Sequence, residues 1–269
     1  MTTQPPLILL TNDDGVYSPG LHAMAEIAAG LGEIVIAAPR EQATGASRSV
    51  PASSDGRIEI VHLPINGSQH PAYAVGGAPA QAVLHAVLEL LPRRPDLVIS
   101  GINYGENVGS GITHSGTVGA AIEAAALGIP ALAASLQLLT GEYYHYQDLD
   151  FSTAAHFTAK IARLMLENPL PPDVDILKID VPAGATLETA WQMTRQSRLR
   201  YYVPYAVRPG GLGEPGNINV QIRVERDESE PGTDVHAVYF DQCISITPLS
   251  IDLTSRVDLE ALSKQLRLK

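Results

Sequence analysis

The sequence has only one cysteine, Cys243, and no lysine before Lys160. A single cysteine can form no intrachain disulfide and no cysteine-based metal cluster, so we expect a reducing, cytoplasmic environment. The first 150 residues carry 5 basic and 14 acidic side chains. Nucleic-acid and membrane-surface binding depend on clustered lysine and arginine, and this composition therefore argues against both kinds of partner.

The sequence also lacks any apolar run of about 20 residues, the length that a membrane-spanning helix needs. Residues 1–6 have neither the positive charge nor the long apolar stretch of a signal peptide, which agrees with the expected cytoplasmic location. What the sequence does contain is 45% apolar and 17% charged residues. A chain of this composition and length can bury a large core.

The first half of the chain alternates short apolar runs with longer helical patterns, as βαβ units do. Strands buried on both faces are predicted at residues 7–10, 33–38, 97–99, 131–134 and 175–181. Helices are predicted over residues 18–32, 78–91, 117–127 and 151–167. The pattern therefore predicts the α/β class with a mostly parallel sheet.

The pattern changes beyond residue 182, where two strands separated by a glycine- and proline-rich turn predict a long hairpin. The predicted elements here are strands at residues 191–207, 218–226, 237–240 and 244–247 and a helix over residues 257–268. A hairpin this long needs a surface to lie on. We therefore predict a core, residues 1–185, and a C-terminal arm with a terminal helix, residues 186–269.

Two adjacent carboxylates, Asp13 and Asp14, directly follow the first predicted strand. Ligands of open parallel sheets bind beyond the carboxyl ends of the strands, where this pair lies. The two like charges repel, and a hard divalent cation such as Mg²⁺ or Mn²⁺ would relieve that repulsion. An Asp-Gly turn, with one aspartate capping the next helix, explains the same residues equally well.

Two further polar segments are expected at the same edge of the sheet. Asn103 and Asn107 lie in a glycine-rich loop after a buried strand, and Asn103 could lend its amide oxygen to the cation. The alanine-rich helix opens with His114, Ser115, Gly116 and Thr117, whose free amides and hydroxyls suit a phosphate. Each segment alone is explained more simply as a turn or a helix cap. Their convergence with the aspartates favours a functional site.

A fourth loop, residues 40–49, leaves the strand predicted at residues 33–38. It is rich in hydroxyl and small side chains and holds two of the five arginines of the first half. Either a substrate-binding loop or an ordinary polar connection explains it.

These motifs occur together, and in the same order, in one known family. The chain resembles the SurE (stationary-phase survival protein) family of 5′/3′-nucleotidases over nearly its whole length. The resemblance is carried by residues 8–15, 38–39, 45–47 and 95–103, by Gly105, Asn107 and Gly109, and by residues 115–117, 231–234, 244–249 and 252–254. It implies a Rossmann-like three-layer core with a mostly parallel sheet, plus a C-terminal β-hairpin arm and a terminal helix.

The resemblance implies a phosphomonoesterase of nucleoside 5′- and 3′-monophosphates, with exopolyphosphatase activity in some members. It also implies one Mg²⁺ or Mn²⁺ per subunit and a homodimer or homotetramer that exchanges its C-terminal arms. The implied metal ligands are Asp13, Asp14, Thr44 and Asn103, with Asp13, Asp14 and Asn103 as the catalytic residues. The implied substrate- and phosphate-binding residues are Asn12, Gly45, Asn107, His114, Ser115, Gly116 and Thr117.

Three positions depart from the family pattern. Thr44 stands where the family usually has serine. A threonine hydroxyl can still coordinate, although its methyl group crowds the site, and Ser47 is a less favoured substitute. His114 stands in place of a tyrosine and could alter substrate preference or add a group that titrates near neutral pH. Ala124 replaces a glycine and is expected to affect helix packing only.

Two other functions use the same residues. A phosphoaspartate phosphatase would take Asp13 or Asp14 as its nucleophile, although the chain lacks the DxDxT order. A nucleotide or phosphate sensor would use the pocket without catalysis. The basic residues near the hairpin suggest a further contact, and we expect some of them to approach the acidic core of a neighbouring subunit. They are Arg195, Arg198, Arg200 and Arg208.

Overall fold

The computed structural model describes residues 4–138 and 149–267, which form a nine-stranded sheet, a separate two-stranded hairpin and surrounding helices. The strands are β1 (Leu7–Thr11), β2 (Glu33–Pro39), β3 (Ile58–Ile65), β4 (Ser68–Val75), β5 (Leu97–Tyr104), β6 (Ala131–Leu136), β7 (Ile176–Val181), β8 (Trp191–Met193), β9 (Tyr202–Val207), β10 (Asn217–Ile222) and β11 (Ile244–Leu249). The helices are α1 (Pro19–Ala28), α2 (Pro79–His85), α3 (Gly116–Ala126), α4 (Ser152–Glu167), α5 (Asp234–Tyr239) and α6 (Leu259–Gln265). A π-helical turn (Ala86–Leu90) extends α2, and a 3₁₀ helix (Gly109–His114) precedes α3.

The large sheet has the strand order β3-β4-β2-β1-β5-β6-β7-β11-β8. Its central strands, from β4 to β7, are parallel, whereas β3 and β11 run antiparallel to β4 and β7. The chain leaves β1 for β2 on one side and later returns to β5 on the other. Loops after β1 and β5 therefore diverge and open a crevice, which is where open α/β sheets bind ligands.

Helices cover both faces of the sheet. On one face α1 and α4 pack Met24 and Phe157 against the strands, and on the other α2 and α3 pack Val83 and Val118. All five residues of β1 are buried, as expected of a strand covered on both sides. The predicted α/β class with a mostly parallel sheet is confirmed. Every helix in the described part of the chain is too short or too polar to cross a bilayer.

Local capping explains why α1 begins where it does. Ser18 precedes the helix, and its hydroxyl accepts a hydrogen bond from the Leu21 amide at 3.3 Å. Pro19 occupies the first helical turn, where its missing N–H costs nothing. An alanine at Gly20 would place its Cβ 2.0 Å from the Ile102 carbonyl oxygen, so this glycine lets α1 lie directly on β5.

Some local predictions are wrong. Residues 237–240 were predicted as a strand but lie in and just after α5. Residues 191–207 were predicted as one strand, and the structure divides them into β8 and β9 with an irregular segment between. The hairpin formed by β3 and β4 was not predicted.

The C-terminal arm contains the antiparallel hairpin of β9 and β10 and the exposed helix α6. The hairpin is confirmed, although β10 ends at Ile222. The terminal helix is also present, and residue 268 of its predicted range lies outside the described residues. Two strands that follow residue 185, β8 and β11, belong to the main sheet. The predicted boundary between the core and the arm at residue 185 stays a prediction.

Candidate active site

The polar loops that follow β1, β2 and β5 border a cavity of about 540 Å³ together with the 3₁₀ helix before α3. Seven residues predicted from the sequence line it, namely Asp13, Thr44, Gly45, Asn103, Asn107, His114 and Ser115. Asp14 and Thr117 lie behind this lining, where they form hydrogen bonds with the lining residues Tyr104 and Asp13. The structure therefore brings together segments that are far apart in the sequence.

Thr117 links Asp13 to Asn103. Its hydroxyl donates a hydrogen bond to Asp13 Oδ1 and lies 3.0 Å from Asn103 Oδ1. The Asn103 side-chain nitrogen donates to the Gly105 carbonyl at 2.6 Å, which turns the amide oxygen toward this group. Because a hydroxyl has a single proton, Thr117 donates to one of the two oxygens at a time. The other oxygen remains available to a further donor or a cation.

The start of α3 lies against Asp13. Ser115 caps the helix, and its hydroxyl accepts from the Val118 amide at 3.0 Å. A Cβ on Gly116 would lie 2.6 Å from Asp13 Cβ, so only glycine permits this approach. The backbone N–H groups of Gly116 and Thr117 interact with the Asp13 carboxylate. In this structure the helix amides thus stabilise Asp13, and the predicted role of these residues toward phosphate stays a prediction.

Asp13 and Asp14 are both almost fully buried, and their surroundings disfavour two negative charges. Burial raises the pKa of Asp13, and the smaller effects of the Thr117 hydroxyl and the helix amides oppose it. Burial and the neighbouring Asp13 carboxylate raise the pKa of Asp14 to about 7. The Tyr104 amide and the Gln42 side chain donate hydrogen bonds to Asp14 at 2.9 and 3.2 Å, which lower its pKa by less than burial and repulsion raise it.

This donor set fits a hard divalent cation. A cation would offset both the burial and the repulsion that raise the two pKa values. Carboxylate and amide oxygens, here from Asp13, Asp14 and Asn103, are ligands that Mg²⁺ and Mn²⁺ accept. Among the described residues there is no metal-binding group of three or more His, Cys, Asp or Glu side chains. The remaining ligands would be hydroxyls, water or substrate.

Thr44 lies on an exposed part of the cavity wall. The preceding Ala43 amide donates to the Asp13 carbonyl at 2.7 Å, which fixes this loop beside Asp13. The Ser47 hydroxyl instead donates to the Thr113 carbonyl at 2.8 Å. The geometry therefore favours Thr44 over Ser47 as a hydroxyl ligand, and the role itself stays a prediction.

Asn12 lies inside the loop after β1. Its side chain donates to the Gly15 carbonyl at 3.0 Å and to the Ser18 hydroxyl at 2.5 Å. Its amide oxygen accepts from the Gly15 N–H at 3.2 Å. These bonds hold the turn that presents Asp13 and Asp14, and a substrate contact of Asn12 stays a prediction.

One wall of the cavity comes from the hairpin and the segment just before it, and the sequence did not predict this wall. This wall consists of Arg200, Tyr202, Pro204, Ile218 and Val220. The Tyr202 hydroxyl donates to the Glu106 carbonyl at 2.9 Å and joins the hairpin to the loop after β5. Glu106 was also missed. Its carboxyl group is buried, which raises its pKa, and it accepts from the Leu138 amide at 3.0 Å. Arg200 thus lines a cavity of its own chain, and its contact with a neighbouring subunit stays a prediction.

The raised carboxylate pKa values predict that the metal-free protein loses stability as the pH rises. The folded-state pKa of Asp14 is about 7, above its ordinary value of 3.8, so the folded state binds this proton more tightly than the unfolded state does. The stability from this proton is complete below pH 3.8 and is lost as the pH rises through about 7. In EDTA, we expect the melting temperature to fall between pH 5 and pH 8.

The same melting curves with Mn²⁺ provide the control. A bound cation stabilises the charged carboxylates, and we expect Mn²⁺ to raise the melting temperature more at pH 8 than at pH 5. A melting temperature in EDTA that rises with pH across this range would contradict the assignment of the buried aspartates.

Comparisons with known proteins agree with the resemblance. The family described as "Survival protein SurE" matches residues 8–203. The 5′-nucleotidase SurE of Methanosarcina mazei is 40% identical over 97% of this chain and 98% of the relative. That of Thermococcus kodakarensis is 38% identical over 96% and 98%. The crystal structure of the SurE protein from Aquifex aeolicus has a TM-score of 0.76 and 30% identity, and covers 97% of this chain and 100% of that one.

Proposed function

Because the chain belongs to the SurE family, we propose that it is a divalent-metal-dependent phosphomonoesterase that hydrolyses nucleoside 5′- and 3′-monophosphates to nucleoside and phosphate. The observation that carries this proposal is the buried pair Asp13 and Asp14 beside Asn103 at the edge of one cavity. The relatives named above are called 5′-nucleotidases, which favours an enzyme over a sensor. Exopolyphosphatase activity is part of the proposal.

The cation in this proposal is one Mg²⁺ or Mn²⁺ per chain, held by Asp13, Asp14, Asn103 and Thr44. When bound, such an ion supplies positive charge and Lewis acidity to a phosphoryl oxygen and lowers the pKa of a water. Thr117 and the amides at the start of α3 keep Asp13 in place. One of the two aspartates accepts the proton of the attacking water.

The remaining residues of the cavity bind the substrate in this proposal. Asn107 and Ser115, supported by Gly116 and Thr117, orient the phosphoryl oxygens, with Gly45 and His114 at the rim. The apolar and aromatic wall from the hairpin suits the nucleoside, because a base and its ribose present flat and apolar surfaces. Arg200 adds a positive charge to an otherwise acidic site.

We also propose that the protein is a cytoplasmic homodimer or homotetramer with exchanged arms. Leu212 and Tyr205 on the hairpin, which lie outside the lining of the cavity, are 95% and 44% exposed in the single chain. Exposed apolar side chains on one hairpin are consistent with a surface that another chain covers.

The proposed function is tested by a substrate panel. With Mn²⁺ present, we expect phosphate release from 5′- and 3′-nucleoside monophosphates, and no release after EDTA removes the ion. Short polyphosphate tests the second activity, and a nucleoside diphosphate is the control for specificity. If AMP binds without any turnover in Mn²⁺ or Mg²⁺, the sensor function is correct instead. A trapped acyl phosphate on Asp13 or Asp14 would support the covalent phosphatase.

A further inference from the structure

A buried charged cluster lies behind the cavity, outside the residues assigned so far. It consists of Lys178 and Asp180 on β7 and Asp234 at the start of α5, and all three are completely buried. The Lys178 ammonium group contacts the Asp180 carboxylate and lies 3.3 Å from Asp234 Oδ2. With Lys178 protonated and both carboxylates ionised, the three groups carry a net charge of −1. Burial raises the pKa of Asp180 and so disfavours this charge, which neighbouring hydrogen-bond donors can stabilise.

The amides that do so belong to the loop after β5. Asp180 Oδ1 accepts from the Asn107 N–H at 2.7 Å, and Asp234 Oδ2 accepts from the Gly109 N–H at 3.1 Å. The cluster therefore holds the backbone at both ends of residues 107–109. Asn107 in turn lines the cavity.

The same loop is held on its other side. The Asn107 side chain donates to the Ser135 hydroxyl at 2.8 Å. The Ser110 amide donates to the Leu199 carbonyl at 2.9 Å, and Asp234 Oδ1 accepts from the Ser197 amide at 2.8 Å. Asp234 thereby joins the active-site loop to the segment that leads into the hairpin. The loop has little freedom to move while these bonds last.

Stability alone is a poor explanation for this cluster. The free energy lost when three charges leave water offsets much of the free energy gained from their attraction. Apolar residues of similar volume often stabilise a fold as well. What apolar residues lack is an oxygen that accepts from the Asn107 amide in a fixed direction. Hydrogen bonds to a carboxylate are short and directional, which suits the placement of a binding residue.

We propose that Lys178, Asp180 and Asp234 are positioning residues that set Asn107 for phosphate binding. Lys178 neutralises Asp180 so that this carboxylate can remain buried, and the two aspartates fix the loop. The proposal rests on the proposed function, because it requires that Asn107 contact the phosphate of the substrate.

Two double variants separate positioning from stability. Lys178→Met with Asp180→Leu removes the acceptor for the Asn107 amide, whereas Lys178→Met with Asp180→Asn keeps an oxygen there. Asparagine and leucine are similar in shape, and both variants leave the cluster with the charge of Asp234 alone, which is again −1. The two proteins therefore differ mainly in whether residue 180 can accept the Asn107 hydrogen bond.

The measurements are the KM for AMP and the inhibition constant of inorganic phosphate, and neither depends on the fraction of folded enzyme. For the leucine variant we expect both to rise about tenfold or more, as when groups that orient a ligand are lost. For the asparagine variant we expect both to stay within about threefold of the wild-type values, whatever its melting temperature. In an Asn107→Ala background the two variants should no longer differ, because the loop then carries no side chain to position.

A leucine variant with wild-type KM and phosphate inhibition would overturn the proposal, and so would two variants that are equally impaired. Thr194→Val serves as a control for stability, because in the described part of the chain this buried hydroxyl bonds to Ser245 and Thr247 and to no residue of the cavity. Failure of the proposed function itself would appear differently, as a wild-type protein without AMP hydrolysis.

Discussion

Replacing Asp13 by asparagine is expected to lower kcat for AMP hydrolysis by about 10³-fold, a loss typical of removing a group that stabilises charge in the transition state. Asp13 is buried, and its carboxylate accepts hydrogen bonds from the Thr117 hydroxyl and the Gly116 amide. The Thr117 hydroxyl links it to Asn103. Asparagine has nearly the same shape but carries no charge. It would therefore keep the packing while weakening the binding of a divalent cation. The measurement is steady-state phosphate release in Mn²⁺ with the melting temperature recorded in parallel.

Asp96→Asn is the matched control for this variant. Asp96 lies at the amino end of β5, away from the carboxyl ends of the strands where the site lies. Its carboxylate accepts a hydrogen bond from the Leu7 amide at 2.8 Å and pairs with Arg93. The same chemical change there should leave kcat near the wild-type value. Hydrolysis of AMP by Asp13→Asn at the wild-type rate would show that the site has been assigned to the wrong residues.

Gly116→Ala is expected to lower kcat/KM for AMP by about 100-fold, because displacing a reacting group by about 1 Å can cost that much. The new Cβ would lie 2.6 Å from Asp13 Cβ and 2.7 Å from Asp13 Oδ2, so the carboxylate or the start of α3 must move. Alanine favours helix formation more than glycine does. Helix propensity alone would therefore stabilise this variant, and a loss of activity would report the displaced carboxylate.

Gly184→Ala is the control for that substitution, because a Cβ there meets no atom within 4 Å. We expect it to retain wild-type activity and melting temperature. A Gly116→Ala protein with unchanged kcat/KM would mean that the position of Asp13 against α3 is not important for the reaction.

The central strands and the helices around them could be predicted from the sequence because their signals are local and strong. Residues 7–10 form an uninterrupted apolar run, and Ser18 with Pro19 marks the start of a helix. The error at residues 237–240 has a physical cause, since α5 has only six residues and a short apolar run fits a strand or a helix equally well. The strand β3 was not predicted, because it is an edge strand whose apolar and polar residues do not alternate regularly and because Pro64 interrupts it.

The candidate site could be predicted in part for a similar reason. Asp13 follows β1, and Asn103 lies near the carboxyl end of β5. The carboxyl ends of parallel strands meet on one side of a sheet, so the convergence of these two residues follows from the fold class. The wall from the hairpin could not be predicted, because it depends on how a distant segment folds back over the cavity. A signal for the buried cluster was present, since Lys178 and Asp180 are charged residues within an otherwise apolar strand.

In our proposal, the Asp13, Asp14 and Asn103 site holds one divalent cation on which the hydrolysis of nucleoside monophosphates depends. The most direct test is the initial rate of phosphate release from AMP by chelator-stripped protein as Mn²⁺ is titrated back. We predict no release before Mn²⁺ is added, a rise that saturates with one activating ion per chain, and no comparable rise in Asp13→Asn. Full activity in the stripped protein, or equal activation of Asp13→Asn, would contradict the claim.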